Sequence, residues 1–192
     1  MGTENSVLRQ QALDKIKGNW TIAIIGFLIF GLLQGVGGGS GLTIIIGGPL
    51  YLGMSYFSLA FVRKQPLEYE LLFKGFNNFG NSLFAYLITL IFTFLWSLLL
   101  IIPGIIKGIS YSMTFFILAD NPEMKAMDAI EKSMEMMHGY KMKYFLLSLL
   151  FAILIMLSAL LAFIPLLWLM PYMYVTYAEF YEDIKNRPTL IS

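Results

Sequence analysis

Most of the chain between Trp20 and Tyr181 consists of long apolar segments separated by short segments that carry the charges. A helix needs about 20 apolar residues to cross the hydrocarbon core of a bilayer. Only 13% of the 192 residues are charged and 58% are hydrophobic, whereas a soluble domain has about 25% charged residues. The sequence therefore predicts an integral membrane protein with enough apolar sequence for about six spans.

The apolar segments predict a single all-α membrane domain over residues 1–192. The expected spans are 21–36, 42–62, 83–102, 105–118, 144–164, and a sixth from the bend between Pro165 and Pro171 to about 181. One helix over the 36 residues 83–118 is too long for a single span, about 54 Å against a core of about 30 Å. We therefore expect a tight turn at Pro103-Gly104, with a kink in one long helix as the alternative.

Short amphipathic segments precede each pair of spans. The pattern predicts helices lying in the membrane interface over 6–17, 66–74 and 122–137. A glycine follows each one: Gly18, Gly75 and Gly139. The third begins at Asn121-Pro122, a capping residue followed by proline at the first helical position. The expected apolar faces are Leu8, Ala12, Leu13 and Ile16; Leu67, Leu71 and Leu72; and Met127, Ile130, Met134 and Met137.

The same unit recurs over about 6–62, 66–118 and 122–184: an interfacial helix, a glycine, a span and a return span. Each return span contains a Ser or Thr before a Tyr, and a proline follows ten or eleven residues after that Tyr. These pairs are Ser55-Tyr56, Ser110-Tyr111 and Thr176-Tyr177. The repetition predicts an all-α polytopic membrane protein whose six transmembrane helices form three repeated hairpins, each preceded by a cytoplasmic interfacial amphipathic helix.

The charges agree with this topology. The side that holds both termini and the segments 63–82 and 119–143 carries 12 of the 13 Lys and Arg residues, and Lys107 is the exception. By the positive-inside rule this side is cytoplasmic, so we expect a multi-pass protein of the cytoplasmic membrane with both termini inside. The first 19 residues are polar, so no removable signal peptide is expected.

The amino-acid composition excludes several kinds of catalytic and metal-binding site. The chain has no cysteine, which excludes disulfides, thiolate metal sites and cysteine nucleophiles. His138 is the single histidine, and its position beside Gly139 favours a role at a helix end. No spacing typical of a metal or nucleophile–base site is present. We expect no catalytic residue, cofactor or metal, and the net charge of +1 gives no reason to expect nucleic acid as a partner.

A few polar residues are candidates for ligand or lipid contacts. Lys107 either extends to the outer headgroups or contacts an anion or lipid phosphate at a cavity mouth. The repeated tyrosines either make interhelical hydrogen bonds or line a polar pocket on a pseudo-threefold axis. Glu179 is the deepest acid. The candidate contacts are Lys107, Tyr56, Tyr111, Tyr177, Ser110 and Glu179, and the candidate hinges are Pro103, Gly104, Pro49 and Pro171.

Several motifs resemble one known family, the bacterial integral membrane proteins of domain-of-unknown-function family 975. The resemblance covers nearly the whole chain and implies a plasma membrane of the Gram-positive type, with no catalytic or ligand residue to transfer. The glycine-rich stretch 35–48 departs from the family pattern. The motifs that carry the resemblance are Leu98-Leu-Leu-Ile-Ile-Pro-Gly-Ile-Ile-Lys107, Ser110-Tyr-Ser-Met113, Ile117-Leu-Ala-Asp-Asn-Pro122, Ala129-Ile130, Ser133, Gly139-Tyr-Lys141, Pro171-Tyr172, Lys17-Gly-Asn-Trp20 and Phe73-Lys-Gly-Phe76.

Two functions from different classes fit these observations. The first is a non-enzymatic protein that binds a membrane component, whether a lipid, a hydrophobic peptide or a partner membrane protein, with a protective or accessory role as one version. The alternative is a transporter or channel with a pathway along the pseudo-threefold axis, which the repeated prolines favour and the lack of a mid-membrane ion-coupling charge disfavours. A membrane enzyme fits least well. The sequence does not determine the oligomeric state.

Overall fold

The computed structural model describes residues 2–37, 41–185 and 187. Within them the chain forms nine α-helices and no strand, which confirms the predicted all-α class. The helices are α1 Asn5–Ile16, α2 Trp20–Gly37, α3 Leu42–Arg63, α4 Phe79–Leu99, α5 Ile101–Tyr111, α6 Thr114–Asp120, α7 Ala126–Met136, α8 Lys141–Ala159 and α9 Leu166–Lys185.

Several helical segments have the length and hydropathy of membrane spans. Within the described residues there are four: Leu42–Arg63, Tyr69–Leu98, Ile101–Asp120 and Lys141–Ala159. A fifth is present if α1 and α2, which meet at a bend of 101°, form one broken span. Such helices indicate a membrane protein. The expected sixth span is not among them, because α9 carries Glu179, Glu182, Asp183 and Lys185 in its last two turns.

Helix α3 lies at the centre of the fold. It packs against α1, α2, α4, α6 and α9, and 72% of its most apolar 18-residue window is buried, against 17% for α8. Small residues on α3 allow this close approach. A Cβ on Gly53 would overlap the carbonyl oxygen of Leu72, and a Cβ on Gly48 would overlap that of Ser82.

The glycine-rich stretch 35–48 has a packing role at its end. Gly41 precedes α3 with φ of +69°. A Cβ on Gly47 would lie 3.0 Å from the ring of Tyr86 on α4. Residues 38–40 lie outside the described residues.

The turn expected at Pro103-Gly104 lies slightly earlier, at Leu100, whose φ of −160° and ψ of 140° interrupt the helix. Pro103 falls in the first turn of α5, where a proline costs no intrahelical hydrogen bond. Helix α5 folds back along α4, so that Gly104 lies against Ser97 and a Cβ on Gly108 would be 3.6 Å from Thr93 Cγ2. The expected fourth span is divided into α5 and α6 by a break at residues 112–113.

The segment 66–74 does not form the amphipathic helix that its periodicity predicted. It contains one short 3-10 turn, Tyr69–Leu72, and a second, Lys74–Asn78, begins at its last residue. Packing on α3 sets this conformation, because Gly75 lies directly against the carbonyl oxygen of Pro49. Gly75 is therefore a close-packing residue, whereas Gly18 and Gly139 have φ of +86° and +81° after α1 and α7, as expected of helix stops.

Helix α7 begins at Ala126, four residues after the predicted start at Pro122. Asn81 of α4 satisfies one free N–H group at this helix start: its Oδ1 accepts from the N–H of Ala126 at 2.7 Å. The same side chain donates from Nδ2 to the carbonyl of Met124 at 2.7 Å. The buried face is rotated relative to the expected Met127, Ile130, Met134 and Met137. It consists of Ala126, Ala129, Ile130, Ser133, Met136 and the following Met137.

The first and last helices pack together. Helix α1 buries Leu8, Ala12 and Ile16 of its expected apolar face, and α9 is its main neighbour. Helix α9 begins directly after Pro165, so Pro171 lies inside the helix instead of bracketing a bend. Pro188, the last proline of the repeat pattern, lies outside the described residues.

Candidate functional site

A cavity of about 660 Å³ lies between α3, α4, α5, α6, α8 and α9. Its walls are mostly aromatic, with hydroxyl groups at intervals. We call it the tyrosine cavity because six tyrosines line it: Tyr51, Tyr86, Tyr111, Tyr144, Tyr174 and Tyr177.

The aromatic rings that line the tyrosine cavity pack against one another. Tyr51 stacks on Tyr86 and on Phe115, with centroids 5.7 and 5.8 Å apart. On the opposite wall the centroids of Tyr144 and Tyr177 are 5.1 Å apart. Aromatic packing of this kind fixes ring positions, so the cavity has defined walls made of side chains from different helices.

Helix α4 contributes a stripe of hydroxyl groups to the cavity. Thr89, Thr93 and Ser97 follow one another at intervals of four residues and all line it. Ser97 Oγ donates to the carbonyl of Thr93 at 2.8 Å. Thr89 Oγ1 is buried and has no hydrogen-bond partner within the described residues, so it is available to a polar group inside the cavity.

The cavity reaches an uncovered face of α4. Leu90 and Phe94 line it and are 45% and 63% exposed. Because α4 belongs to a segment with the hydropathy of a membrane span, this rim is apolar and suited to contact with lipid chains.

The candidate contact residues are divided between this cavity and other places. Tyr111 and Tyr177 line the cavity. Tyr56 does not; the Lys74 ammonium lies over its ring, 4.6 Å from the centroid. Lys107 is also outside the lining, with its ammonium 5.1 Å from the Trp96 ring centroid, although its neighbour Gly108 lines the cavity.

The Ser and Thr residues of the repeated pairs make the same local hydrogen bond. Ser55, Ser110 and Thr176 each donate to the carbonyl four residues earlier, at 3.0, 2.8 and 2.7 Å. Such back-bonding satisfies a hydroxyl inside an apolar helix. Interhelical bonds in this region come from Ser133 on α7, whose Oγ donates to the carbonyl of Ser110 at 2.7 Å, and from Tyr177 on α9, whose hydroxyl donates to Ser148 Oγ on α8 at 3.4 Å.

Glu179 lies away from the tyrosine cavity, beside α1. Its side chain is 9% exposed, and Oε1 is 3.9 Å from Lys15 Nζ. That oxygen accepts no hydrogen bond within the described residues, while Lys15 donates to the carbonyl of Val62 at 2.6 Å. The two charges therefore face each other without a direct hydrogen bond.

The candidate hinges lie in regular or closely packed structure. Pro49 and Pro171 are buried inside α3 and α9. Gly104 is buried, and a Cβ there would overlap Ser97. Pro49 and Pro171 have no backbone N–H, so each of these two helices loses a hydrogen bond there and can bend at that position.

Charged residues at the ends of three helices form one cluster, which we call the ion cluster: Arg63 of α3, Asp120 of α6, and Glu182 and Lys185 of α9. The Tyr181 hydroxyl donates to Asp120 Oδ2 at 2.8 Å. Tyr181 also stacks on Phe116, a cavity residue, with centroids 5.5 Å apart. The cavity wall is thus joined directly to the ion cluster.

Asp183 anchors the N-terminal segment. Its carboxylate accepts from the N–H and hydroxyl of Thr3, from Lys143 Nζ at 3.0 Å and from Arg187 Nη2 at 2.6 Å. Burial opposes ionisation of this carboxyl, but the hydrogen bonds from these three residues outweigh it and lower the pKa of Asp183.

Sequence reasoning missed four of the six cavity tyrosines: Tyr51, Tyr86, Tyr144 and Tyr174. One signal was present for this wall. Tyr86, Thr89, Thr93 and Ser97 recur at intervals of three and four residues within an apolar segment, which places their polar groups on one helical face.

Comparison with known proteins identifies a family for the C-terminal part of the chain. Residues 98–188 match the sequence model of a family described as "Protein of unknown function (DUF975)". No curated protein and no solved structure matches the chain. The resemblance stated from the motifs is confirmed over this C-terminal part, which includes α5 to α9.

Proposed function

We propose that this chain is a non-enzymatic membrane protein that binds a membrane component. The match of residues 98–188 to the model of the DUF975 family, described as proteins of unknown function, transfers no activity to it. The tyrosine cavity carries this proposal. Its volume of about 660 Å³ is in the range of ligand pockets, about 300–1,000 Å³. An aromatic lining with a few hydroxyl groups suits an apolar chain that carries one polar group, as in a lipid or a hydrophobic peptide.

We further propose that the chain crosses a Gram-positive-type plasma membrane six times as three repeated hairpins, each with a cytoplasmic interfacial segment before it. The distribution of Lys and Arg supports this topology. The equivalent back-bonds of Ser55, Ser110 and Thr176 support the repeat. Charged residues at the ends of α3, α6 and α9 meet in the ion cluster, as expected of three return spans that end at one membrane boundary.

The alternative, a transport pathway along the pseudo-threefold axis, is less well supported. The Phe116–Tyr181 stack and the ion cluster lie next to the tyrosine cavity. Packed rings and paired charges favour a binding cavity that is closed at this end over a continuous path. A flux assay in liposomes distinguishes the two, since a binding protein gives no solute flux above that of empty vesicles.

Two matched substitutions test the binding proposal. Leu90 and Leu95 are both exposed leucines on α4, at 45% and 50%, but only Leu90 lines the cavity. We expect Leu90→Trp to fill the cavity and reduce the co-purifying lipid or peptide detected by native mass spectrometry, while Leu95→Trp leaves it unchanged. A wild-type protein that retains no component, or equal loss in both variants, contradicts the proposal.

A further inference from the structure

A second pocket, of about 560 Å³, lies where the bend between α1 and α2 meets the end of α3. We call it the lysine pocket because Lys15, Lys17 and Lys64 line it, together with one carboxylate among the described residues, that of Asp14. None of the described residues lines both this pocket and the tyrosine cavity, so its role is independent of the function proposed above.

The charged side chains of the lysine pocket differ in whether they have hydrogen-bond or ion-pair partners. Lys15 Nζ donates to the Val62 carbonyl and lies near Glu179, and Asp14 accepts from Gln10 at 3.2 Å. Lys17 and Lys64 are exposed, and within the part of the chain that the structure describes neither ammonium has an ion pair or a side-chain hydrogen bond. Neither of these two lysines is paired with Asp14, so the described lining of the pocket carries a net positive charge.

Backbone geometry holds these two lysines at the pocket. Lys17 directly follows the last residue of α1 and is followed by Gly18 with φ of +86°. Lys64 itself adopts a left-handed conformation, with φ of 53°, directly after the last residue of α3. Both side chains project from fixed helix ends, so they do not depend on a mobile loop for their position.

The other residues that line the pocket favour a lipid over a free anion as its ligand. Ile22, Phe61 and Leu67 form an apolar side of the pocket. Phe61 belongs to the segment Leu42–Arg63, which has the length and hydropathy of a membrane span, and Lys64 follows its end. A pocket with cations at the boundary of a span and an apolar wall beside it matches a phosphate group that is attached to acyl chains.

We propose that the lysine pocket binds the phosphate headgroup of an anionic membrane lipid, with Lys17 and Lys64 as the residues that contact the phosphate. Lys15 is a positioning residue, because its ammonium is already held by Val62. Each Lys near an anionic membrane surface contributes enough binding energy for about a fivefold change in affinity.

The test measures binding of dioleoyl phosphatidylglycerol and dioleoyl phosphatidylcholine to the full chain in detergent by native mass spectrometry. We expect the phosphatidylglycerol to bind more tightly, and Lys17→Gln with Lys64→Gln to weaken it by about 25-fold, two steps of about fivefold. The matched control, Lys125→Gln with Lys132→Gln, removes two exposed charges outside the pocket and leaves binding unchanged. The double variant Lys17→Arg with Lys64→Arg is expected to retain phosphatidylglycerol binding.

Each contrary result overturns the proposal. Equal binding of the two lipids shows that the pocket does not recognise the anionic headgroup. Equal loss in the control variant shows attraction by net charge alone. Unchanged binding in the Gln variant assigns the two lysines to complementing the C-terminal ends of α1 and α3. Displacement of the lipid by millimolar inorganic phosphate shows that the pocket takes a soluble phosphate. Melting temperatures without lipid verify that the variants are folded.

Discussion

Arg63 at the end of α3 and Asp120 at the end of α6 form an ion pair, with 2.5 Å between guanidinium Nη2 and carboxylate Oδ1. Asp120 also accepts from Lys185 Nζ at 2.7 Å and from the Tyr181 hydroxyl at 2.8 Å. Its side chain is only 11% exposed. One carboxylate therefore joins three helices at the end of the tyrosine cavity, and its partners have few alternative acceptors.

Replacing this carboxylate is expected to destabilise the fold. Asp120→Asn keeps the volume but leaves Glu182 as the one remaining counter-charge of Arg63 and Lys185 among the described residues. We expect a loss of about 2 kcal/mol in the free energy of unfolding, since breaking a partly buried charge network is costly while solvent screens part of the effect. Thermal unfolding in detergent measures it. Glu123→Gln, at an exposed carboxylate, is the control and is expected to change stability by less than about 0.5 kcal/mol.

The close approach of Gly53 to the Leu72 carbonyl leads to a second prediction. A methyl group at this position overlaps backbone atoms, which cannot move aside as a flexible side chain can. We expect Gly53→Ala to reduce the free energy of unfolding by about 1–3 kcal/mol, as overpacking does. A methyl group on Gly31 of α2 would meet nothing within 4 Å, so Gly31→Ala is expected to be neutral or slightly stabilising. Similar melting temperatures for both variants contradict the packing at Gly53.

The apolar segments and the glycines illustrate which structural features the sequence predicted and which it did not. The apolar segments and the left-handed Gly18 and Gly139 follow from local rules, because a span must be long and apolar and a helix stop favours glycine. Gly75 has the same local pattern but a different role, because its conformation is set by contact with Pro49 on a distant helix. Local periodicity contains no information about that contact.

The start of α7 and the candidate site also depend on contacts between helices that local sequence patterns do not predict. Asn121-Pro122 is a good local start signal, yet the helix begins where Asn81 from α4 supplies the cap. In the site, the repeat pattern found Tyr111 and Tyr177, but Tyr56 faces away from the cavity and Tyr144 enters it from α8. Which tyrosines converge depends on how the helices are rotated about their axes, and that is fixed by packing.

Asp183 leads to a prediction about pH. Its pKa is lowered in the folded protein, so it stabilises the fold fully above the unfolded pKa of about 3.9, and this contribution is lost as the pH falls below that value. We expect the wild-type melting temperature to decrease below about pH 4 more steeply than that of Asp183→Asn, whose stability is already lower at neutral pH. Thermal unfolding between pH 3 and 7 measures this difference. Parallel pH profiles would show that Thr3, Lys143 and Arg187 do not stabilise the carboxylate.

The six-span topology can be tested with single cysteines, because the native chain has none. Ile102 is 70% exposed beside the turn between α4 and α5, and Leu161 is 63% exposed between α8 and α9. We expect Ile102→Cys and Leu161→Cys to react with a membrane-impermeant maleimide on intact cells. Lys132→Cys and a cysteine added after Ser192 are expected to react only after permeabilisation.

The added C-terminal cysteine is the sharpest of these probes, because it depends on whether α9 crosses the membrane. Helix α9 carries four charged residues in its last two turns, and its exclusion from the apolar spans follows from them. If these charges lie beyond the membrane boundary, the apolar part of α9 crosses and the tail is cytoplasmic. Labelling of the tail together with Leu161→Cys on intact cells would instead place both ends of α9 outside and exclude the third hairpin.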